Sequence, residues 1–208
     1  MMLERLPPIQ QLILRRALEN GGKVRLADLS LEARKIVRYR ASAALHQNSI
    51  LLERKGIVER YHDGRAVVVR IKPKWIQPLR KSLGISADIC YMGLAFGEDA
   101  LKKIRASMDL VTFSPKRIVL ISEEPSRESL RGELDDLVHE WVLVDPSDYH
   151  VCRLRIEDKV SSLLPQYEVV CDLSGGNRIM VLALSEVGRG YGLRRFLVTE
   201  NKTIVWIY

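Results

Sequence analysis

The segment from Asp172 to Arg178, Asp-Leu-Ser-Gly-Gly-Asn-Arg, has the residue types and spacing of a site for an anionic ligand. It lies between the apolar run 167–171 and a helix-forming run over 178–184, so the sequence predicts a strand, a glycine-rich turn and a helix. Such a helix presents free backbone N–H groups and the positive end of its dipole to a phosphate. The candidate ligand-binding residues here are Ser174, Gly175, Gly176, Asn177 and Arg178. A tight turn in an α/β domain is the alternative.

The charged residues are divided unevenly along the 208-residue chain. Residues 1–85 contain 18 Lys and Arg against 7 Asp and Glu, and residues 86–208 contain 15 against 19. The net charge is therefore +11 for the first part and −4 for the second, which indicates a basic module joined to a mildly acidic one. A basic module of this size most often binds nucleic acid, although membranes and acidic proteins also bind basic surfaces.

The basic module has the pattern of three helices followed by a β-hairpin. Apolar residues recur at helical spacing over 9–18, and further helices are predicted over 30–39, with Ser30 as the cap, and from about Arg40 to Lys55. Two alternating runs around Asp63-Gly64 then predict a hairpin, because glycine tolerates the positive φ that such turns need. The segment 51–60 resembles the end of the recognition helix and the first wing strand of winged-helix transcription regulators.

This resemblance implies that the third helix enters the major groove of double-stranded DNA. The candidates for contact with base edges are Arg40, Ser42, His46 and Gln47. The candidates for contact with phosphates or the minor groove are Arg38, His62 and Arg65. A winged helix also serves as a protein-interaction module, and the high positive charge favours DNA over that alternative.

The segment that follows the hairpin is predicted to be a connector. It contains Pro73 and Pro78, which would interrupt a long helix, and Trp75 is expected to pack between the modules. The predicted organisation is a winged helix-turn-helix over 1–72, a linker over 73–86 and a second domain over 87–208.

The second domain has alternating strand-like and helix-like segments. The predicted strands are 88–92, 117–121, 141–144, 167–172, 196–198 and 203–206, and the predicted helices are 99–108, 126–139, 151–164 and 178–187. This order predicts an α/β fold with a mostly parallel sheet, helices on both faces and an antiparallel hairpin at one edge. Ligands bind beyond the carboxyl ends of the strands in such sheets, where the turns 93–98 and 174–178 are expected.

Other common sites and locations are not indicated by the sequence. Cys90, Cys152 and Cys171 are too few and too scattered for a disulfide framework or a zinc site, and buried thiols are expected at Cys90 and Cys171. The glycines of 188–192 imitate a dinucleotide fingerprint but follow a predicted helix, so they predict a helix stop. The chain opens without a signal segment and lacks an apolar run of ~20 residues, which predicts a cytoplasmic protein.

The two predicted turns of the second domain resemble those of the CARF family, the CRISPR-associated Rossmann-fold sensor domains. The resemblance covers 87–208 and rests on Met92-Gly93-Leu94-Ala95-Phe96 and on Asp172–Arg178, where members commonly carry Asp-x-Thr/Ser-Gly-Gly-x-Lys/Arg. It implies a Rossmann-like fold and a homodimer that binds a cyclic oligoadenylate across its interface. The residues implied to line the ligand opposite the glycine-rich turn are Gly93, Leu94, Ala95 and Phe96.

A CARF domain joined to a winged helix is similar to the archaeal regulators that control transcription of CRISPR-associated genes. Those regulators usually place the CARF domain first, whereas the winged helix comes first here, and Arg178 stands where relatives often have Lys. The resemblance implies a DNA-binding regulator controlled by a cyclic oligoadenylate such as cyclic tetra-adenylate. Neither a metal nor a cofactor is expected. The alternatives are a sensor of another nucleotide and a ring nuclease, in which Ser174 and Arg178 would position the ligand and stabilise charge.

Overall fold

The computed structural model describes residues 6–37, 39–97, 99–124 and 140–207. The chain divides into two compact units, Met1–Ser86 (unit 1) and Ala87–Tyr208 (unit 2), and the change in net charge falls at this division. The predicted helix over 126–139 and the candidate residue Arg38 lie outside the described residues.

Unit 1 combines helices with a small antiparallel sheet. Its elements are α1 (Pro8–Glu19), β1 (Lys23–Arg25), a short 3-10 helix (Leu26–Leu29), α2 (Ser30–Ile36), α3 (Ala41–Arg54), β2 (Val58–Asp63), β3 (Ala66–Ile71) and α4 (Pro73–Leu83). Strand β3 lies between β1 and β2. Asp63 pairs with Ala66, so Gly64 and Arg65 form the two-residue loop of the predicted hairpin, and Gly64 has a φ of +59°.

The core of unit 1 explains why α1 and α3 form. Ile13, Leu14 and Ala17 of α1 are fully buried, and so are Leu45 and Leu52 of α3. Residues three, four and seven positions apart share one side of a helix, so each helix buries an apolar stripe and leaves its opposite side exposed. The exposed side of α3 is therefore available for contacts with other molecules.

The segment predicted to be a connector is a helix of unit 1, so that prediction is wrong. Ile76 and Leu79 of α4 are buried, and the indole N–H of Trp75 donates a 3.0 Å hydrogen bond to the carbonyl of Gly56. Pro73 occupies the first turn of α4, where its missing N–H has no helical partner, and Pro78 is accommodated inside the helix. Burial of the apolar side of α4 outweighs the cost of the second proline.

Helix α2 also differs from its prediction. It ends at Ile36 rather than at Tyr39, because Val37 has extended backbone angles. Ser30 is its first helical residue, and no side chain caps the helix.

Unit 2 is an α/β unit. Its elements are β4 (Asp88–Ala95), α5 (Ala100–Leu110), β5 (Arg117–Ser122), β6 (Glu140–Leu143), α6 (Tyr149–Leu163), β7 (Tyr167–Asp172), α7 (Arg178–Gly190), β8 (Arg194–Val198) and β9 (Ile204–Ile207). Among the described residues the strand order is β6-β5-β4-β7-β8-β9, and every neighbouring pair is parallel except β8 and β9. The predicted mostly parallel sheet with an antiparallel edge hairpin is confirmed.

The strand order reverses between β4 and β7, in the centre of the sheet. The chain leaves β4 toward β5 on one side and leaves β7 toward β8 on the other. Ligands of open α/β sheets bind outside the carboxyl ends of the strands at such a switch point. The two predicted turns follow these two strands, so the topology brings them to the same edge.

The central strands of the unit 2 sheet contain consecutive apolar residues, as expected for parallel strands that are covered on both faces. The fully buried Tyr91 and Phe196 have ring centroids 6.4 Å apart, and Ile104 of α5 belongs to the same cluster. Cys90 and Cys171 are buried free thiols, as predicted, and burial raises the pKa of Cys90 to about 12.

Helix α7 continues to Gly190, beyond the predicted stop at Gly188. A Cβ at Gly188 would lie 2.7 Å from Cδ of Arg195, so this glycine lets β8 pack closely against the helix. Within the described ranges, no helix has the length and apolarity needed to cross a lipid bilayer.

Candidate functional site

The carboxyl end of β4 differs from the sequence prediction. Gly93, Leu94 and Ala95 are buried strand residues that pair with β5, so the prediction of a turn at these three positions is wrong. The backbone ladder continues through them because β5 pairs with β4 as far as Ala95, whereas the pairing with β7 ends at Met92. The turn begins at the half-buried Phe96 and includes the exposed Gly97, which has a φ of +74°.

The two glycines after β7 pack directly against the end of β4. A Cβ at Gly175 would lie 2.3 Å from the carbonyl oxygen of Leu94, and one at Gly176 would lie 2.9 Å from Cδ1 of the same leucine. Gly176 also has a φ of +78°, which L-residues with a side chain rarely adopt. The sequence predicts both glycines as candidate ligand-binding residues. The structure shows that contact with Leu94 already requires both of them.

Asp172 anchors the glycine-rich turn. Its Oδ1 accepts hydrogen bonds from the backbone N–H of Ser174 at 2.8 Å and from the Ser174 hydroxyl at 2.5 Å. Its Oδ2 accepts a 2.5 Å hydrogen bond from the hydroxyl of Tyr91 in β4. Burial, together with the neighbouring carboxylate of Asp172, raises the pKa of Tyr91 well above its usual value. Tyr91 was missed by sequence reasoning, because a tyrosine in an apolar strand looks like an ordinary core residue.

The Ser174 hydroxyl connects the turn to β8. Besides donating to Asp172, it accepts a 2.7 Å hydrogen bond from the backbone N–H of Val198. A hydroxyl has one hydrogen and two acceptor lone pairs, so a ligand would find one lone pair still free. Ser174 therefore positions the turn, and its contact with a ligand remains a prediction.

Asn177 and Arg178 form the beginning of α7. The Asn177 side chain caps the helix, because its Oδ1 accepts a 2.9 Å hydrogen bond from the backbone N–H of Met180. Arg178 is the first helical residue and is exposed, and its guanidinium forms no ion pair within the described part of the chain. The positive end of the helix dipole and a free guanidinium thus lie together beside the turn.

A cleft of about 530 Å³ opens at the carboxyl edge of the sheet, next to the turn. It lies among the first turns of α5, Ser174 and the turn between β8 and β9. The residues that line it are Asp99, Lys102, Lys103, Ala106, Ser107, Ser174, Val198, Thr199, Glu200 and Lys202. Three ammonium groups, two carboxylates, hydroxyls and apolar side chains line the cleft, so its surface is mixed and has a small excess of positive charge.

Ser174 is the one residue of this cleft that the sequence predictions included. The pair Lys102-Lys103, at the start of a helix that follows a parallel strand, was a signal that could have indicated the cleft. Lys202 gave no such signal, because its place beside α5 depends on the folding of the β8–β9 hairpin.

A second cleft of about 390 Å³ beside β6 contains Glu140 and Lys159, which pair with each other.

The DNA-binding candidates of unit 1 lie on exposed surfaces. Ser42, His46 and Gln47 of α3 are all exposed, and Ser42 and His46, four positions apart, lie on the same side of the helix. His62 and Arg65 are exposed at the tip of the β2–β3 hairpin. The structure therefore groups these residues into two exposed sets, one on a helix and one on a hairpin.

Arg40 precedes α3 in an unusual backbone conformation. Its φ of 57° and ψ of 39° are left-handed, and its side chain forms no capping hydrogen bond. This conformation costs a residue with a Cβ roughly 1–2 kcal/mol. Arg40 is exposed, and it occupies a position that glycine would adopt with less strain.

No group of three or more His, Cys, Asp or Glu side chains within the described ranges is arranged to hold a metal ion.

Comparisons with known proteins give matches among solved structures. The sequence matches no protein-family model and no curated protein. The chain is similar to protein VC1899 from Vibrio cholerae, with a TM-score of 0.50 and 20% identity over 58% of this chain and 33% of that one. It is also similar to Can2 from Sulfobacillus thermosulfidooxidans, solved in complex with cyclic tetra-adenylate, with a TM-score of 0.46 and 21% identity over 57% and 34% of the two chains.

The matched part spans about a third of the length of either solved protein. At this identity the likeness to VC1899 is one of fold alone.

Proposed function

We propose that this protein is a homodimeric DNA-binding regulator in which unit 2 binds a cyclic oligoadenylate and unit 1 binds double-stranded DNA. The observation that carries the proposal is the contact of the glycine-rich turn with the end of β4 at the switch point of the sheet. There Gly175 and Gly176 pack against Leu94, and the exposed guanidinium of Arg178 lies at the start of α7.

The chemistry of this edge supports a cyclic oligoadenylate as the ligand. Its phosphates match the N-terminus of α7 and the guanidinium of Arg178, and the lysines of the neighbouring cleft add further positive charge. Its adenine bases match apolar surface such as Ala106 and Val198. Cyclic tetra-adenylate also has twofold symmetry, which suits a site shared by two identical subunits.

The topology and charge of unit 1 support DNA as its partner. Helices α2 and α3 are followed by the β2–β3 hairpin, and β1 completes the sheet. This order of elements supports the proposal that unit 1 is a winged helix-turn-helix. In this proposal α3 enters the major groove and the hairpin contacts the sugar-phosphate backbone. The net charge of +11 over residues 1–85 makes binding strongly dependent on salt, because bound DNA releases counterions.

The ligand would act by binding one arrangement of the dimer more tightly than another. Two recognition helices in a dimer must match the spacing of two half-sites on DNA, so a change in their separation changes DNA affinity. The sequence resemblance to CARF regulators extends the proposal to transcription of CRISPR-associated genes.

Calorimetric titration of the purified protein with cyclic tetra-adenylate, followed by chromatography of the products, tests the ligand half of the proposal. We expect one intact ring bound per dimer, and linear tetra-adenylate serves as the matched control. Linear products would identify a ring nuclease instead. Absence of binding would contradict the proposed ligand.

Footprinting on duplex DNA tests the other half. Protection of two half-sites by a dimer is expected, and its strength should decrease steeply with salt concentration. Absence of protection at low salt would leave unit 1 as a protein-interaction module.

A further inference from the structure

His46, on the exposed side of α3, is joined to the hairpin by a hydrogen bond. Its Nδ1 lies 3.3 Å from Nη2 of Arg60 in β2. A guanidinium has donors but no acceptor, so Nδ1 of His46 must be the acceptor in this pair. The ring proton is therefore on Nε2, and the exposed imidazole retains one N–H donor for another molecule.

Arg60 is held in place by a second residue of α3. Glu53 accepts a 3.0 Å hydrogen bond from the backbone N–H of Arg60 through Oε1, and its Oε2 lies 3.5 Å from Nη1 of the guanidinium. The Arg60 side chain is 15% exposed, and its Nε is buried without a hydrogen-bond partner among the described residues. A guanidinium that is mostly covered and already contacts Glu53 and His46 is poorly placed to neutralise a phosphate.

We propose that Arg60 is a positioning residue for DNA sequence readout, which fixes His46 as a hydrogen-bond donor to a base edge in the major groove. The inference rests on the proposed DNA binding of unit 1. The acceptors that an imidazole N–H meets in that groove are purine N7, guanine O6 and thymine O4. His46 and Gln47 are adjacent on the exposed side of α3, so we expect one acceptor-bearing base beside the base that Gln47 reads.

Selection from a random-sequence duplex library tests this inference with the full chain. Wild-type protein should select an acceptor-bearing base at one position of each half-site. His46→Ala should lose the preference at that position alone, by about fivefold to tenfold, because one hydrogen bond is lost. Arg60→Met should lose the same preference, since the imidazole is then free to change its tautomer and orientation. The double variant, with both His46→Ala and Arg60→Met, should lose no more of the base preference at that position than either single variant.

Arg70→Met is the matched control. Arg70 lies on the neighbouring strand β3, is exposed, and its guanidinium is 5.0 Å from the centre of the Tyr61 ring. The variant removes the same charge and keeps a similar aliphatic stem, without touching His46. It should weaken binding to all sequences equally and leave every base preference unchanged. If Arg60→Met behaved in the same way, Arg60 would contribute charge only and the inference would be wrong.

Nitrogen-15 NMR of the histidine rings provides a readout that does not depend on DNA. The wild-type spectrum should show His46 with its proton on Nε2 and an acceptor Nδ1, and the signal is assigned by its loss in His46→Ala. Arg60→Met should shift this signal toward a mixture of tautomers while the protein stays folded. A proton on Nδ1 of His46 in the wild type would overturn the inference. Retention of duplexes without any base preference in the wild type would also overturn the inference. Failure of the wild type to retain any duplex at low salt would overturn the DNA-binding proposal itself, whatever the tautomer.

Discussion

The hydroxyl of Tyr91 donates a 2.5 Å hydrogen bond to Oδ2 of Asp172, and this bond joins the middle of β4 to the last residue of β7. Asp172 in turn holds Ser174, and Ser174 accepts a hydrogen bond from Val198 at the end of β8. A polar chain therefore links three neighbouring strands, from the buried Tyr91 and Asp172 to the half-buried Ser174 at the proposed ligand site. Such a chain makes the turn rigid before any ligand arrives.

Tyr91→Phe should destabilise unit 2, because it leaves one oxygen of the buried Asp172 carboxylate without its donor. We expect a loss of about 1–3 kcal/mol in the free energy of unfolding, measured by denaturant titration. Tyr61→Phe is the control, since Tyr61 lies on the hairpin of unit 1 and its ring contacts Arg70. Equal effects of the two substitutions would contradict the special role of Tyr91.

The raised pKa of Tyr91 predicts a loss of stability at high pH. Above pH ~10 the unfolded chain ionises this tyrosine, whereas the folded chain keeps its proton, so the unfolded state binds fewer protons. The contribution of Tyr91 to the free energy of unfolding is fully present below pH ~10. It should then decrease by about 1.4 kcal/mol per pH unit until the folded-state pKa is reached. The measurement is the difference between wild type and Tyr91→Phe from pH 9 to 11, and parallel curves would contradict the prediction.

Gly175→Ala should destabilise unit 2 and weaken ligand binding, because the new methyl group would collide with the backbone of Leu94. We expect a loss of about 2–3 kcal/mol in the free energy of unfolding. Gly190→Ala, at the end of α7, is the control: a Cβ there meets no neighbouring atom, and the change should stabilise the helix by about 0.4–1 kcal/mol. Thermal and denaturant unfolding separate the two outcomes. A Gly175→Ala variant as stable as the wild type would refute the close contact with Leu94.

Arg178→Ala should weaken binding of cyclic tetra-adenylate by roughly tenfold to a hundredfold, because it removes a charge-assisted hydrogen bond. DNA affinity without the ligand should stay nearly unchanged. Arg189→Ala removes the same charge from the other end of α7 and is the matched control for calorimetry. Equal losses of ligand and DNA affinity in Arg178→Ala would contradict a model with two separate sites.

Arg40→Gly should stabilise unit 1 and weaken its binding to DNA. Glycine adopts the left-handed backbone of this position without strain, so a gain of about 1 kcal/mol in the free energy of unfolding is expected. The loss of a charge beside α3 should lower DNA affinity in a gel-shift titration. Arg40→Lys keeps both the charge and the strain, and should leave stability unchanged. If Arg40→Gly were more stable than the wild type but bound DNA as tightly, Arg40 would not belong to the proposed DNA-binding surface.

The sequence by itself determined those features that depend on neighbours along the chain. The run of apolar residues before Asp172 gave β7 its bounds, the glycine-rich turn predicted the start of α7, and Asp63-Gly64 predicted the β2–β3 hairpin. Strand periodicity, helix periodicity and turn chemistry are local properties, and each can be recognised in about ten residues.

Tertiary structure decided the features that depend on residues far apart in sequence. The partner of Tyr91 is 81 positions away, the glycines at 175 and 176 are required by Leu94, and the cleft joins α5 to the β8–β9 turn. Helix α4 forms in spite of Pro78 because its apolar side is buried within unit 1. Local patterns could not supply these contacts, because only the order of strands in the sheet and the packing of helices bring such residues together.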